Sequence, residues 1–355
     1  MVLFFLLVIL IIVFQGQLIR NKKLFLVVAF FEVLVLSGLR VPDGAGSDTY
    51  AYCEIFTELS NSSFTEILGS FTHEIGFYLM CHYLSFISKD PQILIFFSSL
   101  MMTLSVFTFI NKKSRIPWLS VVLYITLLFF FNNLNLMRFG LAGSFLLLSY
   151  DSIIQRRLLK FLFYVVVASM FHFSALIFII AYYIYPLVLN VKKIILISVP
   201  FIIVAYAFQF AFSLLIVLNP RYSSYDSGFG EFYQSSFANY LIALVNLFVL
   251  IFVYKNGGKN LKELEGDEKF YFLSVFISCI FSIMAIKVMV ITRFVMMFSI
   301  VEIVYIANVL YCMPKLKRQK FILIILIATV TQTMVVLTYK PEWYFINPYS
   351  NILLK

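Results

Sequence analysis

Three side chains of the kinds that transfer protons, Asp48, Glu74 and His172, lie at polar breaks between strongly apolar runs of this chain. A carboxylate or an imidazole can take the proton from a hydroxyl nucleophile, so each is a candidate general base. Each also has a structural explanation. Asp48 could cap the helix that begins at TYAYCEIF, Glu74 could stabilise the start of the next apolar segment, and His172 could be a structural hydrogen bonder.

Four arginines lie outside the short basic clusters that follow every second apolar run. Arg138 and Arg293 occur about one turn inside the ends of their runs, and Arg40 and Arg221 occur in polar segments. Charged groups near or within spans tend to mark sites, and guanidinium groups bind phosphate oxygens bidentately. The pattern predicts a lipid-linked phosphate or pyrophosphate ligand. The alternatives are single arginines snorkelling to headgroups, and ordinary anionic phospholipid headgroups.

Many of the 22 tyrosines lie in the same polar segments, among them Tyr50 and Tyr222. An interfacial aromatic belt and a saccharide groove lined by aromatic rings would give the same pattern, and both interpretations stay open. The four cysteines and three histidines have no metal-ligand spacing, so we expect no metal and no cofactor.

The composition predicts an all-α polytopic membrane protein. Of the 355 residues, 62% are apolar and only 12% are charged, whereas soluble domains carry about 25% charged residues. A helix needs about twenty apolar residues to cross the hydrocarbon core. Runs of that kind predict about twelve transmembrane helices, at 2–19, 24–38, 91–110, 117–133, 134–150, 158–172, 173–190, 194–217, 238–254, 270–286, 288–311 and 321–338.

Alternate loops carry the positive charge. Nineteen of the 27 Lys and Arg residues fall in six clusters on one side of the twelve-span assignment, and the positive-inside rule makes that side cytoplasmic. This segregation also argues against nucleic acid as a partner, because the basic residues form no groove-like patch. Both termini then face outward.

The assignment makes residues 1–355 a single integral membrane domain with three outer segments. These are 39–90, the loop 218–237 and the tail 339–355. If the apolar stretch 75–88 also crossed the membrane, the later basic loops would lie on the opposite side from the first one. We therefore expect this stretch to be an interfacial helix within the first outer segment.

Motifs in these outer segments and near the ends of several spans together resemble the EpsG-like branch of bacterial polysaccharide polymerases, which is similar to the Wzy O-antigen and capsule polymerases. The resemblance covers nearly the whole chain. The motifs that carry it occur in this order: LR…G…D…Y…Y (Arg40, Gly46, Asp48, Tyr50, Tyr52), E-x-G (Glu74, Gly76), R-x-x-L-A (Arg138, Leu141, Ala142), A-S-x-F-H-x-S-A (residues 168–175), Arg293 and PY (Pro348, Tyr349). One departure is the 218–237 loop, whose only arginine is Arg221 although such loops are often arginine-rich in the Wzy branch.

The resemblance implies a multi-pass glycosyltransferase with a GT-C-like fold in the bacterial cytoplasmic membrane. It would join oligosaccharide repeat units carried on undecaprenyl pyrophosphate, with an outward-facing active site, in exopolysaccharide, capsule or O-antigen synthesis. Besides membrane lipids, a chain-length regulator and a flippase are candidate partners. The alternatives are a lipid-linked oligosaccharide flippase or other transporter, an O-antigen ligase and an acyltransferase.

Overall fold

The structure is a computed structural model of the whole chain. It describes residues 2–42, 46–69, 74–187, 237–258, 260–286, 291–339 and 349–354, together with residues 196, 199, 200, 203, 207 and 344. Expectations that fall elsewhere, including Arg221, Tyr222 and nearly all of the predicted span 194–217, lie outside the described residues.

Helices make up almost all of the described chain, as the long apolar runs require in lipid, where backbone groups must be bonded within the segment. The sole β-type pairing among the described residues is an isolated antiparallel bridge between Arg40 and Asn351. The α-helices are α1 (Val2–Leu18), α2 (Lys22–Gly38), α3 (Thr49–Leu59), α4 (Phe64–Gly69), α5 (Ile75–Ser85), α6 (Gln92–Lys113), α7 (Pro117–Thr126), α8 (Phe129–Asn135), α9 (Met137–Ile154), α10 (Leu158–Phe171), α11 (Ile179–Ile184), α12 (Phe237–Asn256), α13 (Gly266–Ala285), α14 (Thr292–Ser299), α15 (Glu302–Tyr311) and α16 (Lys315–Tyr339).

An all-helical membrane protein is what the apolar runs predicted. Among the described residues, five helical segments are long and apolar enough to cross a membrane, or six if α7 and α8 form one bent span. Helices α1 and α10 cover the predicted runs 2–19 and 158–172, but they are shorter than these five segments. The count of twelve spans and the GT-C-like fold stay predictions.

The run predicted as one span at 117–133 is broken. Helices α7 and α8 meet at an angle of 52°. Leu128, between them, has a φ of 68°, a left-handed conformation that cannot continue a right-handed helix. The break leaves α8 as a short helix whose last residues contact the outer segment 46–49 through the Leu134 carbonyl and the Asn135 side chain.

The described chain forms two compact units. Unit 1 is Met1–Leu176 with Ile306–Lys355, and unit 2 is Ile177–Tyr305. Within unit 1, α9 packs against α6 and α10, and α2 packs against α6. Within unit 2, α13 packs against α12 and α14.

Three predicted cytoplasmic loops lie together at one end of unit 1, which we call the basic end. The first two, 20–23 and 111–115, are joined by Lys22 Nζ and the Asn111 carbonyl oxygen (2.6 Å). The second also contacts α15, through the Arg115 backbone N–H and Asn308 Oδ1 (2.8 Å), and the end of α9, through Lys113 Nζ and Asp151 Oδ1 (2.7 Å). The third, 315–320, adjoins the second because the guanidinium groups of Arg318 and Arg115 lie near the same Tyr311 ring. Arg138 begins α9, thirteen positions before Asp151, or about 20 Å along the helix axis at 1.5 Å per residue. Arg138 therefore lies far from the basic end.

Candidate active site

Glu74 immediately precedes α5, on the far side of unit 1 from the basic end. Two residues later, Gly76 lies directly against α10. A Cβ added at Gly76 would be 2.9 Å from Met170 Cβ and 3.0 Å from the Met170 carbonyl oxygen. Only glycine permits this approach without displacement, so the E-x-G motif brings the Glu74 carboxylate to the end of α10.

His172 is the residue at which α10 ends. Its backbone is extended, with φ −153° and ψ 116°. Its Nδ1 lies 2.5 Å from Glu74 Oε1, and both side chains are 15% exposed. The Phe173 backbone N–H also donates to Glu74 Oε1 (3.4 Å), and the Phe139 ring packs edge-on against the imidazole. Because Glu74 can accept the Nδ1 proton, this contact fixes the ring and leaves Nε2 as the basic nitrogen.

Arg138, the second residue of α9, binds the other oxygen of the same carboxylate. Its Nη1 lies 2.6 Å from Glu74 Oε2. The guanidinium carbon lies over the ring of Tyr52 at 5.3 Å and over that of Phe77 at 5.7 Å, within the range of cation–π attraction. Glu74, Arg138 and His172, which we call the Glu74 cluster, thus come from three separate segments and converge on one carboxylate.

Its neighbours keep Glu74 ionised. Burial alone would raise the pKa of this carboxyl, but the hydrogen bond from His172, the positive charge of Arg138 and the Phe173 N–H together hold the pKa below its ordinary value of 4.5. Both carboxylate oxygens already accept bonds. Glu74 is therefore suited to orienting and charging its partners rather than to taking a proton itself.

Two polar atoms of the cluster are buried without a hydrogen-bond partner among the described residues. They are His172 Nε2 and Arg138 Nε. Buried nitrogens of this kind are normally satisfied, and an unsatisfied one requires an explanation. Nε2 can accept a hydrogen bond or a proton from a hydroxyl group, and the Nε–H group can donate a hydrogen bond to an anionic oxygen, so together they match a ligand that has both groups.

Arg40 has surroundings different from those expected of a phosphate ligand. Its side chain is fully buried (0% exposed). The guanidinium donates to the carbonyl oxygens of Ser37 and Leu134 and to the Ser99 hydroxyl. Its backbone pairs with Asn351. Arg40 thus joins α2, α6, α8 and the C-terminal tail, and it is not among the groups of the Glu74 cluster.

Asp48 and Tyr50 lie at the start of α3. Asp48 occupies the N-cap position without a side-chain capping bond. Its carboxylate accepts from the Ser47 hydroxyl (3.2 Å), and the structure describes no contact between it and the Glu74 cluster. Tyr50 is 55% exposed, as a ring that meets sugar or headgroups would be.

Arg293, the second residue of α14, is half-buried in unit 2. Arg221 and Tyr222 lie outside the described residues. The late PY motif ends in Tyr349, whose hydroxyl donates to the Leu36 carbonyl oxygen (2.7 Å). Tyr349 therefore ties the tail to α2.

The sequence did not single out Tyr52 and Phe77 as site residues. The available signal was their spacing: Tyr52 is one helical turn after Asp48 and Phe77 is three residues after Glu74. Within the described residues, no group of three or more His, Cys, Asp and Glu side chains could hold a metal ion.

The fold and this site define a helical membrane protein with a carboxylate–histidine–arginine cluster far from the basic end of unit 1. The family model described as EpsG family matches residues 23–351, so the chain belongs to the EpsG family, whose members are membrane proteins of polysaccharide biosynthesis. The resemblance seen in the motifs is thereby confirmed. Searches of curated proteins and of solved structures gave no match.

Proposed function

We propose that the protein is a polysaccharide polymerase. It joins oligosaccharide repeat units carried on undecaprenyl pyrophosphate at the outer face of the bacterial cytoplasmic membrane. Family membership supports a role in polysaccharide biosynthesis. The observation that carries the chemistry is the Glu74 cluster, in which a buried imidazole nitrogen and a guanidinium N–H have no hydrogen-bond partner among the residues that the structure describes.

The reaction moves a glycosyl group from one lipid carrier to an acceptor hydroxyl. The hydroxyl oxygen attacks the anomeric carbon and the C–O bond to the lipid pyrophosphate breaks, with its electron pair leaving on the pyrophosphate. His172 Nε2 takes the hydroxyl proton. A general base in this position contributes about 10²–10⁴-fold to the rate.

Among the three candidate bases, the geometry favours His172. Glu74 has a lowered pKa and both of its oxygens are occupied, while an efficient base has a pKa near the operating pH. Asp48 makes no described contact with the other groups. Glu74 therefore orients His172 and stabilises the imidazolium that forms, as a carboxylate does for a catalytic histidine elsewhere.

Arg138 supplies positive charge to the departing pyrophosphate. One of its nitrogens binds Glu74 and its Nε lacks a partner among the described residues, so donors remain for phosphate oxygens. Arg293 is the second proposed pyrophosphate ligand. Arg221, Tyr222 and the exposed Tyr50 are proposed contacts to the saccharide or its carrier.

The test is chain extension of a synthetic lipid-linked repeat unit by purified protein in proteoliposomes. The wild-type protein should form a ladder of polymers. Arg138→Ala and Arg293→Ala, inserted to the same level, should each lose most of the initial rate. Normal polymerisation by both variants would contradict the assigned pyrophosphate site.

A flippase would also bind a lipid-linked saccharide, and cells separate the two functions. A polymerase defect leaves unpolymerised repeats facing outward, whereas a flippase defect leaves them facing inward. Accumulation of inward-facing repeats in cells that carry only Arg138→Ala would favour the flippase. An O-antigen ligase would transfer finished polymer and would give no ladder from single repeats.

A further inference from the structure

A pocket lies at the basic end of unit 1, far from the Glu74 cluster. It encloses about 550 Å³ between the adjacent ends of α1, α7 and α16 and the loops beside them. Ligand pockets commonly have volumes of about 300–1,000 Å³, so this one can hold a ligand headgroup with part of a chain.

One part of this pocket is strongly basic. Arg115, Lys315 and Arg318 line it, and in the described residues no carboxylate forms an ion pair with any of them. The guanidinium carbons of Arg115 and Arg318 lie 5.7 and 5.9 Å from the centre of the Tyr311 ring. Arg318 Nη1 also donates to the Tyr311 carbonyl oxygen (3.2 Å). The stacking holds two positive groups near one another with donors still free for an anion.

The rest of the wall is apolar. It includes Val13 of α1, Trp118 of α7 and Leu323 of α16. Helices α1 and α7 approach closely there, since a Cβ added at Gly16 would be only 2.3 Å from Trp118 Cβ. Leu323 is 60% exposed, which suits a helix face turned toward lipid tails. The pocket therefore matches a ligand that is anionic at one end and apolar at the other.

We propose that this pocket binds an anionic phospholipid of the cytoplasmic leaflet. The phosphate lies among Arg115, Lys315 and Arg318, near the N-terminus of α16, where backbone N–H groups also favour negative charge. One acyl chain lies along Val13, Trp118 and Leu323. Basic pockets between helices on the cytoplasmic side recognise such headgroups. This site is independent of the proposed polymerase reaction.

Native mass spectrometry of the full-length, delipidated protein tests the proposal. The probes are phosphatidylglycerol, phosphatidylcholine, a polyprenyl phosphate and inorganic phosphate, each titrated separately. We expect saturable binding of one phosphatidylglycerol, with phosphatidylcholine and inorganic phosphate at least tenfold weaker, because each basic group near an anionic lipid contributes about 1 kcal/mol. Tighter binding of polyprenyl phosphate, or equal binding of phosphatidylcholine, would overturn it.

Matched variants locate the bound lipid. Arg115→Gln with Arg318→Gln should weaken phosphatidylglycerol binding roughly tenfold or more. Lys317→Gln with Lys320→Gln removes the same charge from α16 outside the pocket lining and should change binding little. Equal losses in both pairs would show that only net charge matters and would overturn the site.

A variant that keeps every charge tests the site even if the double variant Arg115→Gln with Arg318→Gln misfolds. Val13→Trp fills the apolar wall while leaving the basic residues in place. Loss of phosphatidylglycerol binding by this variant, with an unchanged melting temperature, supports the site. Unchanged binding overturns the placement of the acyl chain.

Discussion

At the scale of single residues, the chemistry depends on one carboxylate with two partners. Glu74 contacts His172 at 2.5 Å and Arg138 at 2.6 Å. The same carboxylate thus fixes which imidazole nitrogen is basic and where the guanidinium points. The sequence placed Glu74 in an outer segment, Arg138 near the end of one span and His172 between two others, but only the fold shows that Arg138 and His172 both bind the Glu74 carboxylate.

The lowered pKa of Glu74 predicts a specific pH dependence of stability. Near its pKa, this carboxyl binds more protons in the unfolded chain than in the folded protein. The contribution of ionised Glu74 to the free energy of unfolding is therefore complete above the ordinary pKa of 4.5, and it is lost as the pH falls through the lower pKa of the folded protein. The melting temperature of Glu74→Gln should lie below that of the wild type by a constant amount from about pH 7 to about pH 5. The gap should narrow below about pH 4.5. A gap that widens with acid would contradict the assigned shift.

The buried Arg40 predicts a loss of stability rather than of substrate binding. Arg40→Met keeps most of the side-chain volume but leaves the Ser37 carbonyl oxygen without this donor, and it leaves the Leu134 carbonyl oxygen with the Thr49 hydroxyl alone. Each unsatisfied buried group costs about 1–3 kcal/mol, so the melting temperature should fall clearly. An unchanged melting temperature together with a loss of chain extension would contradict this and would support Arg40 as a phosphate ligand.

At the scale of elements, the ends of helices position the site. Helix α10 ends at His172, α9 begins beside Arg138 and α5 begins after Glu74. Polar side chains at such ends lie at the edge of the apolar layer, where they can meet a saccharide while their backbones stay bonded. The close approach of α5 and α10 at Gly76 sets the spacing between Glu74 and His172, the proposed catalytic pair.

Gly76→Ala tests this spacing. The new Cβ would meet the Met170 backbone oxygen at 3.0 Å and would move α5 away from α10. A shift of about 1 Å in a catalytic group can cost about 10²-fold in rate, so chain extension should fall by about that factor. The matched control is Gly143→Ala on α9, where an added Cβ meets nothing within 4 Å and the rate should be unchanged. Equal rates for both variants would show that Gly76 does not set the geometry.

The sequence predicted the helical class and the helices of the described apolar runs because burial in lipid demands long apolar helices. It did not predict the break at Leu128, which depends on packing and not on a Gly or Pro signal. It placed Arg40 in the phosphate site because an arginine in an outer loop gives no sign of burial. Glu74, Arg138 and His172 were identifiable as chemistry-bearing residues, but their convergence depends on tertiary contacts between distant segments.

At the scale of the whole molecule, the informative arrangement is that of unit 1, where the basic end and the Glu74 cluster lie at opposite ends of α9. The basic end of unit 1 gathers three lysine- and arginine-rich loops, while the Glu74 cluster lies about 20 Å away along α9. If the positive-inside rule holds, the site faces outward. That arrangement suits a reaction on repeat units that have already crossed the membrane.

Cysteine labelling tests this orientation without any substitution. Cys312 is the exposed member of the four cysteines, and the other three are buried. It lies at the basic end, beside Arg115. A membrane-impermeant maleimide should label Cys312 only in inside-out vesicles or permeabilised cells. Labelling in intact spheroplasts would reverse the topology and place the Glu74 cluster on the cytoplasmic side.

The most direct test of the central claim is the initial rate of chain extension by His172→Gln in proteoliposomes. Loss of the imidazole base should lower the rate by about 10²–10⁴-fold while the lipid-linked repeat unit still binds. The matched control is His82→Gln, which alters a buried histidine of α5 that packs against Phe86, and it should polymerise normally. A wild-type rate for His172→Gln would contradict the assignment of His172 as the base that activates the acceptor hydroxyl.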